Sequence, residues 1–203
     1  MKQIIIATKN SGKATEFKDF FAAYGIEAVS LLDLTEDLPD VEETGTTFEG
    51  NALLKAEEIA ARLSTPVLAD DSGLMVDALN GRPGVYSARY AGEPKDDQAN
   101  IQKLLDELNT VPVAERSARF ICLLAIAIPS EKPIIRKGYC EGSIAFYKKG
   151  ENGFGYDPIF IPENYIKTMA QLPKDVKNSI SHRKKAINQL EEWIKTIAGR
   201  AFK

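Results

Sequence analysis

Cysteine is scarce in this chain of 203 residues. Cys122 and Cys140 are the only two, each inside an apolar, β-like stretch. They lack the spacing of a metal site and fall short of a disulfide framework, so two reduced, half-buried thiols are expected. Histidine is scarcer still, with His182 alone, and no Ser/His/Asp or Cys/His nucleophile set is evident. A basic surplus is missing: the formal net charge of -3 argues against a general nucleic-acid binder, which needs a positive footprint. A small anionic ligand needs only a local patch and stays open. Long hydrophobic runs are missing too. The opening "MKQIIIATKN" has one Lys and an apolar run too short for a signal segment and far too short for a membrane span. Repeats, low-complexity tracts and long linkers are also absent. A cytoplasmic protein without membrane or nucleic-acid partners is expected, built as a single domain over residues 1–203 with two lobes around a cleft.

What is present is an alternation of strand and helix signals. Ile4 to Ala7 is a continuous apolar run, as in a strand buried on both faces. The polar turn "TKNSGK" follows. Ala14, Phe17, Phe21 and Tyr24 then recur at helical spacing, with Gly25 as a stop. "DLPDVEETG" reads as an acidic loop. Thr46 with Glu49 fits a capping box, opening a helix whose apolar face is Ala52, Leu53, Ala56, Ile59, Ala60 and Leu63. Pro66 starts a strand expected to end in Asp70 and Asp71, with Ser72-Gly73 as a turn. "NGRPGVYSARYAGEP" reads as loop, and Ile101, Leu104, Leu105 and Leu108 mark another helix. The longest apolar run, "ARFICLLAIAI" at 118–128, suits a central strand. Residues 134–147 read as two strands with turns at Gly138 and Gly142. "NGFGYDPIF" is a glycine-aromatic loop. From Ser181, the residues Ile187, Leu190, Ile194 and Ile197 predict one closing amphipathic helix. The class is α/β, with a mixed sheet rather than a purely parallel one.

Three polar constellations fall at element junctions. In the first, Thr8, Asn10 and Lys13 sit where a strand enters a helix. Free backbone N–H groups and the helix dipole favour an anion there. An ordinary turn with Asn10 and Ser11 as caps is the competing reading. Gly12-Lys13 half-matches a Walker A loop, and "VLADD" resembles its Walker B strand. However, Ala7 replaces the first glycine and Ala14 replaces the metal-binding Ser/Thr. A P-loop NTPase is therefore the runner-up, and a non-catalytic nucleotide sensor is the rival outside enzymes.

The second constellation is acidic: Glu42, Glu43, Asp70 and Asp71. Adjacent aspartates repel unless a cation answers them. If the two pairs converge, they make an all-oxygen site suited to Mg²⁺. Alternation along a strand lets only one of Asp70 and Asp71 face a cleft, and the sequence does not say which. The third constellation runs through Phe154, Gly155, Tyr156 and Asp157 to Lys177, His182 and Arg183. An aromatic in this loop stacks on a base or plugs the core. His182 and Arg183 place positive charge at a helix start, against the macrodipole, and are candidate anion ligands. Lys184 and Lys185 read as solvated.

Six segments stand in one order: "ATKNSGK", "EETGTTFEGNALLKA", "ADDSGL", "GRPGVYSARYAG", "GFGYDPIF" and "KNSISHR". Together they resemble the noncanonical purine nucleoside triphosphate pyrophosphatases, the Ham1-like inosine/xanthosine triphosphate diphosphatases. The resemblance implies an α/β fold with a long central mixed β-sheet flanked by helices, two lobes around a nucleotide cleft, and a homodimer. It also implies Mg²⁺-dependent hydrolysis of ITP, dITP and XTP to the monophosphate plus pyrophosphate. Carried over by position, the stretch Thr8, Lys9, Asn10, Ser11, Gly12 and Lys13 would hold the triphosphate, with Lys55 assisting. Glu43 and Asp71 would be the metal carboxylates, and Glu42 and Asp70 supporting acids. Asp71 would also be the proton acceptor, and Lys13 would act with it in catalysis. Ser72 would contact substrate. Phe154, Gly155, Tyr156, Asp157, Lys177, His182 and Arg183 would form the nucleoside pocket, which moves the last two from an anion to the base.

Overall fold

The computed structural model describes residues 2–35, 38 and 41–200, with the side chains of 196–200 left aside. Six strands form one mixed sheet. They are β1 (Gln3–Ile6), β2 (Glu27–Ser30), β3 (Val67–Val76), β4 (Ser117–Ala127), β5 (Ile134–Ile144) and β6 (Phe160–Pro162). Their hydrogen-bonding order is β2-β1-β3-β4-β5-β6. β1 is parallel to both β2 and β3, whereas β5 and β6 are antiparallel. The helices are α1 (Ser11–Ala22), α2 (Phe48–Leu63), α3 (Asp97–Glu107), α4 (Lys174–Ile180), α5 (His182–Asn188) and α6 (Glu191–Arg200). No helix among the described residues is long and apolar enough to cross a membrane.

The chain forms two compact units, with boundaries after Asp71 in β3, after Cys122 in β4, after Lys137 in β5 and after Lys185 in α5. In the first unit, Ile4, Ile5 and Ile6 of β1 and Val67, Leu68 and Ala69 of β3 are all buried, as continuous apolar runs in a parallel arrangement should be. Phe17 and Phe21 of α1 and Ala52, Ala56, Ile59 and Ala60 of α2 supply the helical faces of that core. The second unit packs Leu74, Val76, Leu104, Leu108, Phe160 and their neighbours into its own core. A buried arginine belongs to it. The Arg116 guanidinium donates to the carbonyls of Leu108, Val111 and Ala145 and lies against the Phe146 ring.

Several local expectations are corrected. The helix opening is shifted by one residue: Thr47, not Thr46, caps α2, accepting from the Gly50 N–H. β3 does not stop at the aspartates but runs on to Val76, so Ser72-Gly73 is strand rather than turn. The stretch 134–147 holds one strand, not two, and Gly138 and Gly142 lie inside it. Gly142 serves close approach there: a Cβ would collide with the Ile161 carbonyl of β6. The closing helix is two helices broken at Gln189 and Leu190. The break is held by Arg136 Nε, which donates to the Gln189 carbonyl, and by Gln189 Nε2, which donates to the Lys137 carbonyl. Ile187, Leu190 and Ile194 are buried as expected, while Ile197 lies outside the described side chains. Asp37, Pro39 and Asp40 of the acidic loop also lie outside the described residues. β2, β6 and α4 have no distinct signal in the sequence; each is short or carries no clean period.

Candidate active site

In the first unit, β1 delivers Thr8 to the entrance of α1. Thr8 is buried, and its Oγ1 accepts from the Asn10 N–H at 3.1 Å. Asn10 is the N-cap, its side chain accepting from the Lys13 N–H at 3.0 Å. Asn10 therefore does the capping work that the plainer reading gave it, with Ser11 and Gly12 forming the first turn. Lys9 reaches the Leu38 carbonyl. Ala7 donates its N–H to Leu68 and Ala14 is packed in the core. Neither position is arranged as a P-loop would require.

The adjacent aspartates do not splay into solvent. Asp70 is 3% exposed and Asp71 8%. Because neighbours on a strand point to opposite faces, they meet different elements. Asp70 Oδ2 pairs with Lys13 Nζ of α1 at 2.7 Å. Asp71 Oδ2 accepts from Asn51 Nδ2 of α2 at 3.1 Å. Lys55, one turn after Asn51, pairs with Glu43 Oε1 at 2.5 Å and reaches the Asp70 carbonyl. The positive answer to Asp70 is thus a lysine.

Asp71 is the electrostatic outlier. Burial, together with the neighbouring Glu43 charge, pushes its carboxyl up to about 6, against the opposing pull of Asn51 and Lys55. Lys55 moves the other way from what burial alone would dictate: burial lowers it, but Glu43 and the two aspartates raise it further. Among the described residues, no group of three or more His, Cys, Asp or Glu side chains is placed to hold a metal. Mg²⁺ is a modest demand, however: one or two carboxylates, completed by waters and substrate phosphates. Glu43 and Asp71 are hard oxygen donors, the Glu43 charge acts on Asp71, and a divalent cation would relieve that repulsion. The donor set fits Mg²⁺.

In the second unit, the glycine-aromatic loop is held from below. Tyr156 is buried and donates to the Ser87 carbonyl at 2.9 Å, so it plugs the core. Phe154 is 58% exposed and remains the ring able to stack. Lys177 of α4 sits over it at 5.0 Å and pairs with Asp157 at 2.5 Å. Asp157 also accepts from the Phe154 N–H, and Asp97 accepts from the Gly155 N–H at 2.7 Å. Ser181 caps α5 through the Lys184 N–H. The His182 ring is stacked on Phe120, with centroids 5.0 Å apart, and Arg183 is buried. Ser72 continues β3 beside Asp71, and Glu42 stands beside Glu43.

Three residues escaped the sequence reading. Asn51 was legible only as a polar interruption of an apolar helical face. Asp97 reads as an ordinary first-turn acid. Gly153 has φ of +85°, and a Cβ there would fall on the Asp157 carboxylate and the Lys177 ammonium.

The model of the Ham1 family matches residues 4–193. A protein from Oceanobacillus iheyensis named dITP/XTP pyrophosphatase is 65% identical over 197 residues, covering 97% of this chain and all of that one. The solved structure of the Staphylococcus aureus Ham1 protein matches with a TM-score of 0.89 and 50% identity, covering 96% and 99% of the two chains. That of a HAM1 protein from Coxiella burnetii gives a TM-score of 0.90 at 41% identity, covering 97% of this chain and 100% of that one.

Proposed function

The chain belongs to the Ham1 family, and from that premise we propose that it is a nucleoside triphosphate pyrophosphatase acting on ITP, dITP and XTP. The products are the monophosphate and pyrophosphate, so that deaminated purines leave the nucleotide pool. The observation that carries this reading is the set around Asp71. A buried carboxylate with a raised pKa stands near Lys55, and Lys13 pairs with the adjacent Asp70; both lysines are ion-paired with carboxylates that substrate phosphates can displace.

Lys13 and the N–H groups opening α1 receive phosphate oxygens, and Lys55 adds charge beside Glu43. Glu43 and Asp71 would hold Mg²⁺, which when bound supplies charge neutralisation on the leaving pyrophosphate. Asp71 orients the attacking water and takes its proton, a task suited to a carboxyl raised toward neutrality. Attack is at the α-phosphorus. In the second unit, Phe154 offers a face for the purine ring. Arg183 and His182 offer donors, which match the 6-keto acceptor of hypoxanthine and xanthine and oppose the 6-amino donor of adenine. The family resemblance also implies a homodimer, which the mass in solution tests.

The decisive assay incubates the protein with Mg²⁺ and separately with ITP, XTP, ATP and GTP, measuring pyrophosphate and orthophosphate independently. Pyrophosphate from ITP and XTP, with little from ATP or GTP, is expected. Orthophosphate from ATP or GTP would restore the P-loop reading.

A further inference from the structure

We propose that Asn51 is the positioning residue that sets the orientation of the Asp71 carboxylate, an inference that rests on reading Asp71 as the acid directing water. Asn51 stands on α2 and is 1% exposed, on the face that carries Phe48, Ala52, Ala56 and Ile59. An amide in that setting is tolerated only when hydrogen bonds satisfy it. Two do. Its Oδ1 accepts from the Gly45 N–H at 2.8 Å, and its Nδ2 donates to Asp71 Oδ2 at 3.1 Å.

The two partners fix which way the amide points. A backbone N–H only donates, so it must face Oδ1; an ionised carboxylate only accepts, so it must face Nδ2. Turning the amide over sets donor against donor and acceptor against acceptor. Asn51 is therefore a strut with one end on backbone and the other on a carboxylate. Gly45 suits the anchoring end, because a Cβ there would come within 2.5 Å of Asn51 Oδ1. Glu43 lies two residues before Gly45 on the same loop. One side chain thus ties the loop carrying Glu43 to the strand carrying Asp71. That coupling keeps the two carboxylates in register, which chemistry at a fixed phosphorus demands.

The test separates tethering from positioning. Asn51→Asp keeps the shape of the side chain and the acceptor for the Gly45 N–H, but turns an oxygen toward Asp71 instead of a donor. With ITP and Mg²⁺, kcat should fall at least about tenfold while KM stays within about twofold. A wild-type kcat would mean that the amide only anchors the loop, overturning the proposal. A second measurement needs no turnover: thermal melts of the wild type, Asn51→Asp, Asp71→Asn and the double variant at pH 8 without metal. In the double variant the amide and the carboxylate exchange places, and the hydrogen bond re-forms in the opposite sense. Most of the Tm loss from Asn51→Asp should vanish in the Asp71→Asn background. Equal losses in both backgrounds would overturn the contact. A wild-type protein that releases no pyrophosphate from ITP would overturn the functional reading and the positioning role together, while the melts still report on the contact.

Discussion

Replacing Asp71 by Asn should stabilise the metal-free protein and abolish its activity. The carboxyl is pushed from the usual 3.8 up to about 6, first by burial and then by the Glu43 charge. Between those two values the folded protein keeps a proton that the unfolded chain has released. Stability therefore falls as pH rises across that window, and the deficit is complete above about pH 6. The gap corresponds to about 3 kcal/mol at 1.36 kcal/mol per pH unit. Asp71→Asn removes the charge but keeps an oxygen to accept from Asn51 Nδ2. At pH 8 in chelator, the variant should melt about 6–12 °C above the wild type, given the stability change and a chain of this size. Near pH 4 the two should melt together. Added Mg²⁺ should raise the wild-type Tm at pH 8 and leave the variant nearly unmoved. The assay is a thermal melt by circular dichroism, run from pH 4 to pH 8 with and without Mg²⁺. A variant that melts at or below the wild type at pH 8 would refute the reasoning, because it would mean that Asp71 is not held charged at a cost.

Lys13→Ala leaves the Asp70 carboxylate, its side chain 2% exposed, without that ammonium. It should cost about 2 kcal/mol in urea unfolding, and adding Asp70→Asn should recover most of the loss. Gly153→Ala forces a side chain into a positive-φ position and onto Asp157. It should destabilise by about 2 kcal/mol and raise KM for ITP more than it lowers kcat, as steady-state kinetics would show. Arg183→Ala should reduce the preference for ITP over ATP while leaving pyrophosphate as the product; an unchanged preference would remove Arg183 from base recognition. Tyr156→Phe deletes only the hydrogen bond to the buried Ser87 carbonyl. It should lower stability by about 1–2 kcal/mol with KM unchanged.

The sequence alone determined the α/β class and the mixed sheet, and it marked the segments that make the candidate site. Those follow from local rules: continuous apolar runs for β1 and the start of β3, the 3.6-residue period of α1 and α2, and six motifs in order. It also marked Asp70 and Asp71 as a pair in need of an answering charge. The tertiary structure decided what answers them. Lys13 lies 57 positions from Asp70, and Asn51 lies 20 from Asp71, so no window along the chain links them. The fold likewise extended β3 past the aspartates, joined 134–144 into one strand through Gly138 and Gly142, and broke the last helix at Gln189. In each case a long-range hydrogen bond or a close approach outweighed local preference. A glycine reads as a turn until a neighbouring strand occupies the space that its missing side chain leaves. A buried Asn reads as an irregularity until a carboxylate and a backbone N–H arrive on either side of it.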